Sequence, residues 1–114
     1  MGDLLMEQGK VSLHVDPGVC RFKAKIECWM EGDLLRCHIS SGCKHVQDFA
    51  DALEREKLEM MDAMRMPFTE NKVYVIGGRT LKHATCPLPM AALKGMEVAA
   101  GLGLKRDVLV SFDK

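Results

Sequence analysis

Apolar and polar positions alternate along the first third of the chain, then shift to a period near that of a helix. Residues 11–15, VSLHV, alternate and predict a strand. Asp16-Pro17-Gly18 is a turn by its chemistry, since Pro fixes φ and Gly permits φ > 0. Residues 22–30, FKAKIECWM, alternate again, with Phe22, Ala24, Ile26, Cys28 and Met30 on one face and Lys23, Lys25, Glu27 and Trp29 on the other. Glu31-Gly32-Asp33 turns the chain, and LLRCHIS returns it with Leu35, Cys37 and Ile39 on one face. A two-residue loop at Gly32–Asp33 makes Cys28 and Cys37 cross-strand neighbours on the apolar face, where both are expected to be core thiols.

The period then lengthens. SSGCKHVQDFADALEREKLEMMDAM predicts a helix capped by Ser40 or Ser41. Its apolar stripe is Val46, Phe49, Ala50, Leu53, Met60, Met61 and Met64, with an irregularity near 56–58, and Pro67 stops it. KVYVI at 72–76 predicts a short strand ended by Gly77-Gly78, and GGRTLKHAT a loop. Pro87 suits the first position of a second helix, with Cys86 at its N-cap and a stop near Gly101. DVLVSF at 107–112 predicts a last strand. The order β-β-β-α-β-α-β implies an α+β two-layer sandwich, a mixed sheet of four to five strands with two helices on one face. One domain is expected over 11–114, behind a flexible N-terminus at 1–10.

Composition narrows the function classes. Formal net charge is zero and aromatic residues make up 5%, which argues against nucleic acid as a partner. No apolar run reaches the roughly 18 residues of a membrane span, the best candidate being broken by Lys94 and Glu97. MGDLLMEQGK lacks the basic start and long apolar core of a secretory signal, and Met6 stands where a myristoylation motif needs Ser or Thr. The expected location is cytoplasmic. Five cysteines, an odd and sparse set, are then thiols, metal ligands or redox groups.

Three of them lie outside the strand interiors. Cys86 precedes a helix, where unpaired N–H groups and the dipole favour thiolate over thiol. With Arg79, Lys82 and His83 on the preceding loop, its pKa is expected below the ordinary value of about 8.5. Cys43 stands just inside the first helix after Gly42, which permits close backbone approach. Cys20 follows the Asp16-Pro17-Gly18 turn, in phase with Phe22 and Ala24, so a core role competes with a site role. His45 and His83, near Cys43 and Cys86, each offer a fourth ligand for a Cys₃His set, though a lone surface histidine is the commoner outcome. Each loop cysteine also has a plain reading, as a small apolar residue at a helix or strand start.

Other motifs carry less. No C-x₂-C pair exists, against a zinc ribbon or ferredoxin-type site. EMMDAMRM reads as core filler rather than a copper(I) site. GGRTLK lacks P-loop spacing. No Ser-His-Asp set or carboxylate pair stands out, so the chain reads as a binding module more than an enzyme.

CPLPMAALKGMEVAAGLGLKRDVLVSF resembles the Cys-Pro-x-Pro helix and following strand of TusA/SirA-type sulfur carriers. That resemblance implies that Cys86 accepts a persulfide sulfur. The carriers hold this motif near their N-terminus, and residues 1–70 match nothing in them. VDPGVCRF, SSGCKHV and CPLPMAALKGMEVAAGLGLKRDV, spanning nearly the whole chain, resemble a family of small, functionally uncharacterised proteins of anaerobic bacteria and archaea. This second resemblance implies a setting rich in iron–sulfur and sulfide chemistry, and no activity.

The favoured expectation is a module in which Cys20, Cys43 and Cys86 converge to hold a zinc or iron ion or an iron–sulfur cluster, serving a protein partner in sulfur or metal handling. One alternative is a persulfide carrier in which Cys43 or Cys20 resolves Cys86. Another is a partner-binding domain with incidental cysteines.

Overall fold

Strands β1 (Val11–Val15), β2 (Ala24–Glu31) and β3 (Leu34–Ser41) form an antiparallel meander in the computed structural model, which describes residues 9–114. A two-residue strand, β4 (Leu58–Glu59), pairs with β3 and completes the order β1-β2-β3-β4. Helices α1 (Lys44–Arg55), α2 (Lys72–Thr80) and α3 (Leu88–Ala99) follow, with 3₁₀ turns at Met60–Met64 and Phe68–Glu70. The fold is α+β. The expected flexible stretch over 1–10 lies almost wholly outside the described residues.

The period-2 pattern places one face of the sheet inside. Ala24, Ile26 and Cys28 of β2 and Leu35, Cys37 and Ile39 of β3 are buried, with Ile26 opposite Ile39 and Cys28 opposite Cys37. Lys25, His38 and Ser40 face out. Glu31 pairs with Leu34, so Gly32–Asp33 is the expected two-residue loop, and Gly32 takes φ 62° at its first position. The helices cover the inner face. Val46, Phe49, Ala50 and Leu53 of α1, Val73 and Ile76 of α2, and Leu88, Ala91, Ala92 and Met96 of α3 join the strands in one core. Burying a side chain such as Phe49 or Ile26 stabilises the fold by about 2–3 kcal/mol. Gly95 lets α3 lie close on the sheet. A Cβ there would come within 2.6 Å of Leu13 Cδ1 and 2.9 Å of Cys28 Sγ.

Four expectations about elements are corrected. Residues 72–76 are helical, because Asn71 caps α2. Its Oδ1 accepts from the Val73 and Tyr74 N–H groups at 3.0 and 3.2 Å, and its amide donates to the carbonyls of Asp62 and Arg65. Val73, Ile76 and Gly77 then fall on one buried helix face, and this packing outweighs the β-branched composition. The first helix ends at Arg55 rather than running to Met64, since Leu58 pairs with Leu35 as a strand. The Glu59 N–H donates to Asp62 Oδ2 at 2.7 Å and starts the 3₁₀ turn. Met60, Met61 and Met64 are accordingly exposed, not core. Residues 107–112 form no strand. Among the described residues the sheet is antiparallel throughout rather than mixed, and three helices rather than two pack on it.

Candidate functional site

Pairing within the sheet determines where the loop cysteines lie. Ala24 is opposite both Val15 and Ser41, so the 16–23 loop and the β3–α1 junction occupy the same sheet end. Cys43 is the N-cap residue of α1, one position earlier than expected. Its N–H donates to Ser41 Oγ at 3.2 Å, and the Ser41 N–H donates to Gln47 Oε1 at 2.9 Å, which ties the junction to the helix. Neither serine caps the helix by its side chain. The Phe22 ring lies beside Gly42, 3.4 Å from where a Cβ would stand.

The Cys20 turn is built by its neighbours. Gly18 N–H donates to Asp16 Oδ1 at 3.0 Å, and Gly18 takes φ 87°. Arg21 N–H donates to the Gly18 carbonyl at 3.0 Å and Lys23 N–H to the Arg21 carbonyl at 3.0 Å. Arg21 itself stands at φ 64°, the left-handed region that costs an ordinary residue about 1–2 kcal/mol. Cys20 is exposed at the crest of this bend, which resolves its two readings against the core.

Cys86 arrives from the other side. Its N–H donates to the His83 carbonyl at 3.1 Å, closing a turn before Pro87, which is the N-cap of α3. The cysteine thus sits one residue before the cap, not at the cap as the sequence predicts. α3 crosses β1 and β2 at Gly95, and Pro87 at its start lines the groove beside β1. Cys43 and Cys86 are half-buried against the core.

Burial pushes the Cys86 thiol above its ordinary value; the Leu88 backbone N–H, directed at the sulfur, pulls it down; negative charge on Cys43 and on Cys20 pushes it up again. The expected depression of Cys86 is therefore overturned. The helix-start donor is present, but loss of solvent around the sulfur outweighs it. His45 lies half-buried on the first turn of α1 and His83 is exposed on the loop before Cys86. Among the described residues no three Cys, His, Asp or Glu side chains are already grouped so as to hold a metal ion.

Cys28 and Cys37 form a separate pair. They are paired in register, 0% and 6% exposed, with sulfurs 3.4 Å apart, and Cys28 Sγ also lies 3.9 Å from the Ala92 carbonyl of α3. The Cys28 thiol donates to Cys37, and that hydrogen bond together with burial holds it far above the ordinary thiol range.

Two features were not read from the sequence. Gly77 and Gly78 belong to α2, where a Cβ at Gly77 would stand 3.0 Å from Pro89 Cγ, so GGRTLK makes no anion loop. A groove of about 440 Å³ runs between β1, α3 and residues 105–108, and only the alternation of VSLHV hinted at an apolar sheet edge there. Among the described residues no helix is long and apolar enough to cross a membrane. No curated protein and no solved structure matches the chain. One family model does match, over residues 11–112, and the chain belongs to that family of unknown function, DUF6951.

Proposed function

We propose that the protein is a small cytoplasmic binding module whose Cys20, Cys43 and Cys86 take up a zinc or iron ion or an iron–sulfur cluster. What supports this reading is that the loop of Cys20 and the junction of Cys43 border the same sheet end, with Ala24 opposite both Val15 and Ser41, and that charge on either cysteine raises the Cys86 thiol. Neighbouring thiolates repel one another, and a bound cation turns that repulsion into coordination, because the ligands must be deprotonated to bind. Cys43 and Cys86 are anchored at helix starts. Cys20, exposed on a bend, is the ligand that has to move inward. His45, His83, water or a partner supplies the fourth position.

The persulfide reading is weaker. A thiol raised by burial holds less thiolate at neutral pH, and the likeness to TusA/SirA-type carriers covers only the stretch after Cys86. A setting in anaerobic bacteria and archaea, with a partner in sulfur or metal handling, fits the cluster reading.

The test is anaerobic purification of the full chain, followed by metal and sulfide analysis and absorption spectroscopy. Bound zinc or iron, lost in Cys20→Ser, Cys43→Ser and Cys86→Ser but kept in Cys28→Ala, is the expected result. No uptake beyond that of the triple serine variant, after reconstitution with Zn²⁺ or with Fe²⁺ and sulfide, overturns it. A mass increase of one sulfur on Cys86 in that metal-free protein favours the carrier instead.

A further inference from the structure

We propose that Cys28 and Cys37 are a redox modification site, forming a reversible disulfide in mid-sheet when the protein meets hydrogen peroxide. The inference is independent of the three outer cysteines. In the reduced protein the pair fills space between the strands and α3. The same geometry leaves it one short step from a covalent bond.

Position in the hairpin carries the argument. Glu31 and Leu34 close the two-residue loop, which makes them a hydrogen-bonded pair. The ladder alternates from there. Met30 and Leu35 are a non-hydrogen-bonded pair, Trp29 and Arg36 a hydrogen-bonded one, and Cys28 and Cys37 again non-hydrogen-bonded. Opposed Cα atoms in such a pair stand about 4.5 Å apart, with their side chains at closest approach. That falls inside the span of about 4.4–6.8 Å that a disulfide bridges, near its short limit. The sulfurs are already 3.4 Å apart, so a bond of about 2.05 Å needs an approach of about 1.4 Å. A bond made at the short limit is strained, and a strained disulfide is the readily reduced kind.

The chemistry balances with one peroxide. Cys37 is 6% exposed and Cys28 0%, so Cys37 is the first to meet it. Its sulfur attacks one peroxide oxygen, the O–O bond breaks, and a sulfenic acid and water result. The Cys28 sulfur then attacks the sulfenic sulfur. The S–S bond forms, the S–O bond breaks, and hydroxide leaves with the Cys28 proton as a second water. Two electrons pass from the pair of sulfurs to the peroxide. Burial makes the first step slow, limited by opening of the sheet. The second is fast, because the partner thiol stands in register when the strands close.

The test uses the full chain carrying Cys20→Ser, Cys43→Ser and Cys86→Ser, which leaves only Cys28 and Cys37, with the wild type beside it. Reduced protein is exposed to dilute hydrogen peroxide, blocked with N-ethylmaleimide in denaturant and cut with trypsin after Lys25, Arg36 and Lys44. The expected product is residues 26–36 joined to residues 37–44, separated again by dithiothreitol. In the wild type, fragmentation assigns the bond to Cys28 and Cys37, so that protein decides the matter should the triple variant not fold. The oxidised triple variant should also unfold at a higher denaturant concentration than its dithiothreitol-treated form. Three outcomes overturn the proposal. One is Cys28 and Cys37 both still free after Cys20 of the wild type has oxidised. Another is their conversion to sulfonic acid instead of a disulfide. The third is a bond that appears only when peroxide is added in denaturant. The triple variant lacks the outer thiols, so its result does not depend on whether they hold a metal.

Discussion

Two groups of cysteines on one small sheet have opposite characters. Cys28 and Cys37 lie mid-strand, in register, sealed under α3 with sulfurs 3.4 Å apart. Cys20, Cys43 and Cys86 come from a bend and two helix starts and keep access to solvent. Neighbouring cysteine charge raises a thiol in both groups, Cys28 beside Cys37 and Cys86 with Cys43 and Cys20. The difference is what can reach them. The inner pair has its polar needs met by one another and by the Ala92 carbonyl, and it acts as packing. The outer trio sits where strands end and helices begin.

The sharpest way to break this contrast is alkylation under native conditions. Cys20 should react as an exposed thiol. Cys28 and Cys37 should react only when the sheet opens. With a folding stability of at least about 5 kcal/mol, the rates differ by about 10³-fold or more. Peptide-resolved labelling that finds Cys28 modified as fast as Cys20 would show that the sheet face is assigned wrongly.

Alkaline pH separates the groups next. The Cys28 thiol stays protonated in the fold, whereas in the unfolded chain it ionises near the ordinary value. Between those limits the folded state binds the extra proton, so stability is fully present below pH ~8.5 and falls as pH rises above it. One such group costs about 1.4 kcal/mol per pH unit. Denaturant melts across the alkaline range should show this slope, flattened in Cys28→Ala. An unchanged slope in that variant would assign the loss elsewhere.

Two glycines probe the same contrast sterically. A methyl at Gly95 would meet Leu13 Cδ1 at 2.6 Å and Cys28 Sγ at 2.9 Å, both held in or against the core. Overpacking of this kind costs about 1–3 kcal/mol, of which the better helix propensity of Ala returns under about 1. Gly95→Ala should therefore lower stability by about 1–2 kcal/mol. At Gly42 the nearest atom is Phe22 Cδ1 at 3.4 Å, an exposed ring at ordinary contact distance, and Gly42 has no positive φ. Gly42→Ala should change stability by less than about 0.5 kcal/mol. Equal losses in thermal melts would erase the distinction between a sealed mid-sheet and an adjustable sheet end.

The inner pair was legible in the sequence and the outer site only in part, for a physical reason. Strict alternation in FKAKIECWM and LLRCHIS, with Gly32-Asp33 between them, fixes register locally, and register alone places Cys28 against Cys37. The stripe Val46, Phe49, Ala50 and Leu53 likewise follows from its own spacing. KVYVI was misread because its helical state depends on Asn71, held by carbonyls up to nine residues away. Met60, Met61 and Met64 continue the spacing of α1, but Leu58 takes a place beside Leu35 and ends the helix. Where Cys20, Cys43 and Cys86 lie relative to one another depends on segments far apart in sequence, and no local pattern encodes it. Desolvation of Cys86 is also a tertiary effect, which is why the helix-start argument gave the wrong sign.

The smallest expected effect tests that sign. If burial dominates at Cys86, its alkylation midpoint in metal-free protein lies above the free-cysteine value of about 8.5. Charge on Cys43 and Cys20 contributes in the same direction, Cys43 more than Cys20. Cys43→Ser should therefore move the Cys86 midpoint down, and Cys20→Ser should move it down by less. Serine keeps the size and stays neutral, so the change reports loss of a like charge rather than loss of packing. Cys28→Ala, on the other group, should leave the midpoint where it is. A Cys86 midpoint that ignores Cys43→Ser would mean that the two sulfurs do not share a site, and the three-thiol reading would lose its physical basis. A midpoint that drops in Cys43→Ser yet stays above 8.5 is the predicted outcome, with burial setting the level and the neighbouring thiolate adding to it.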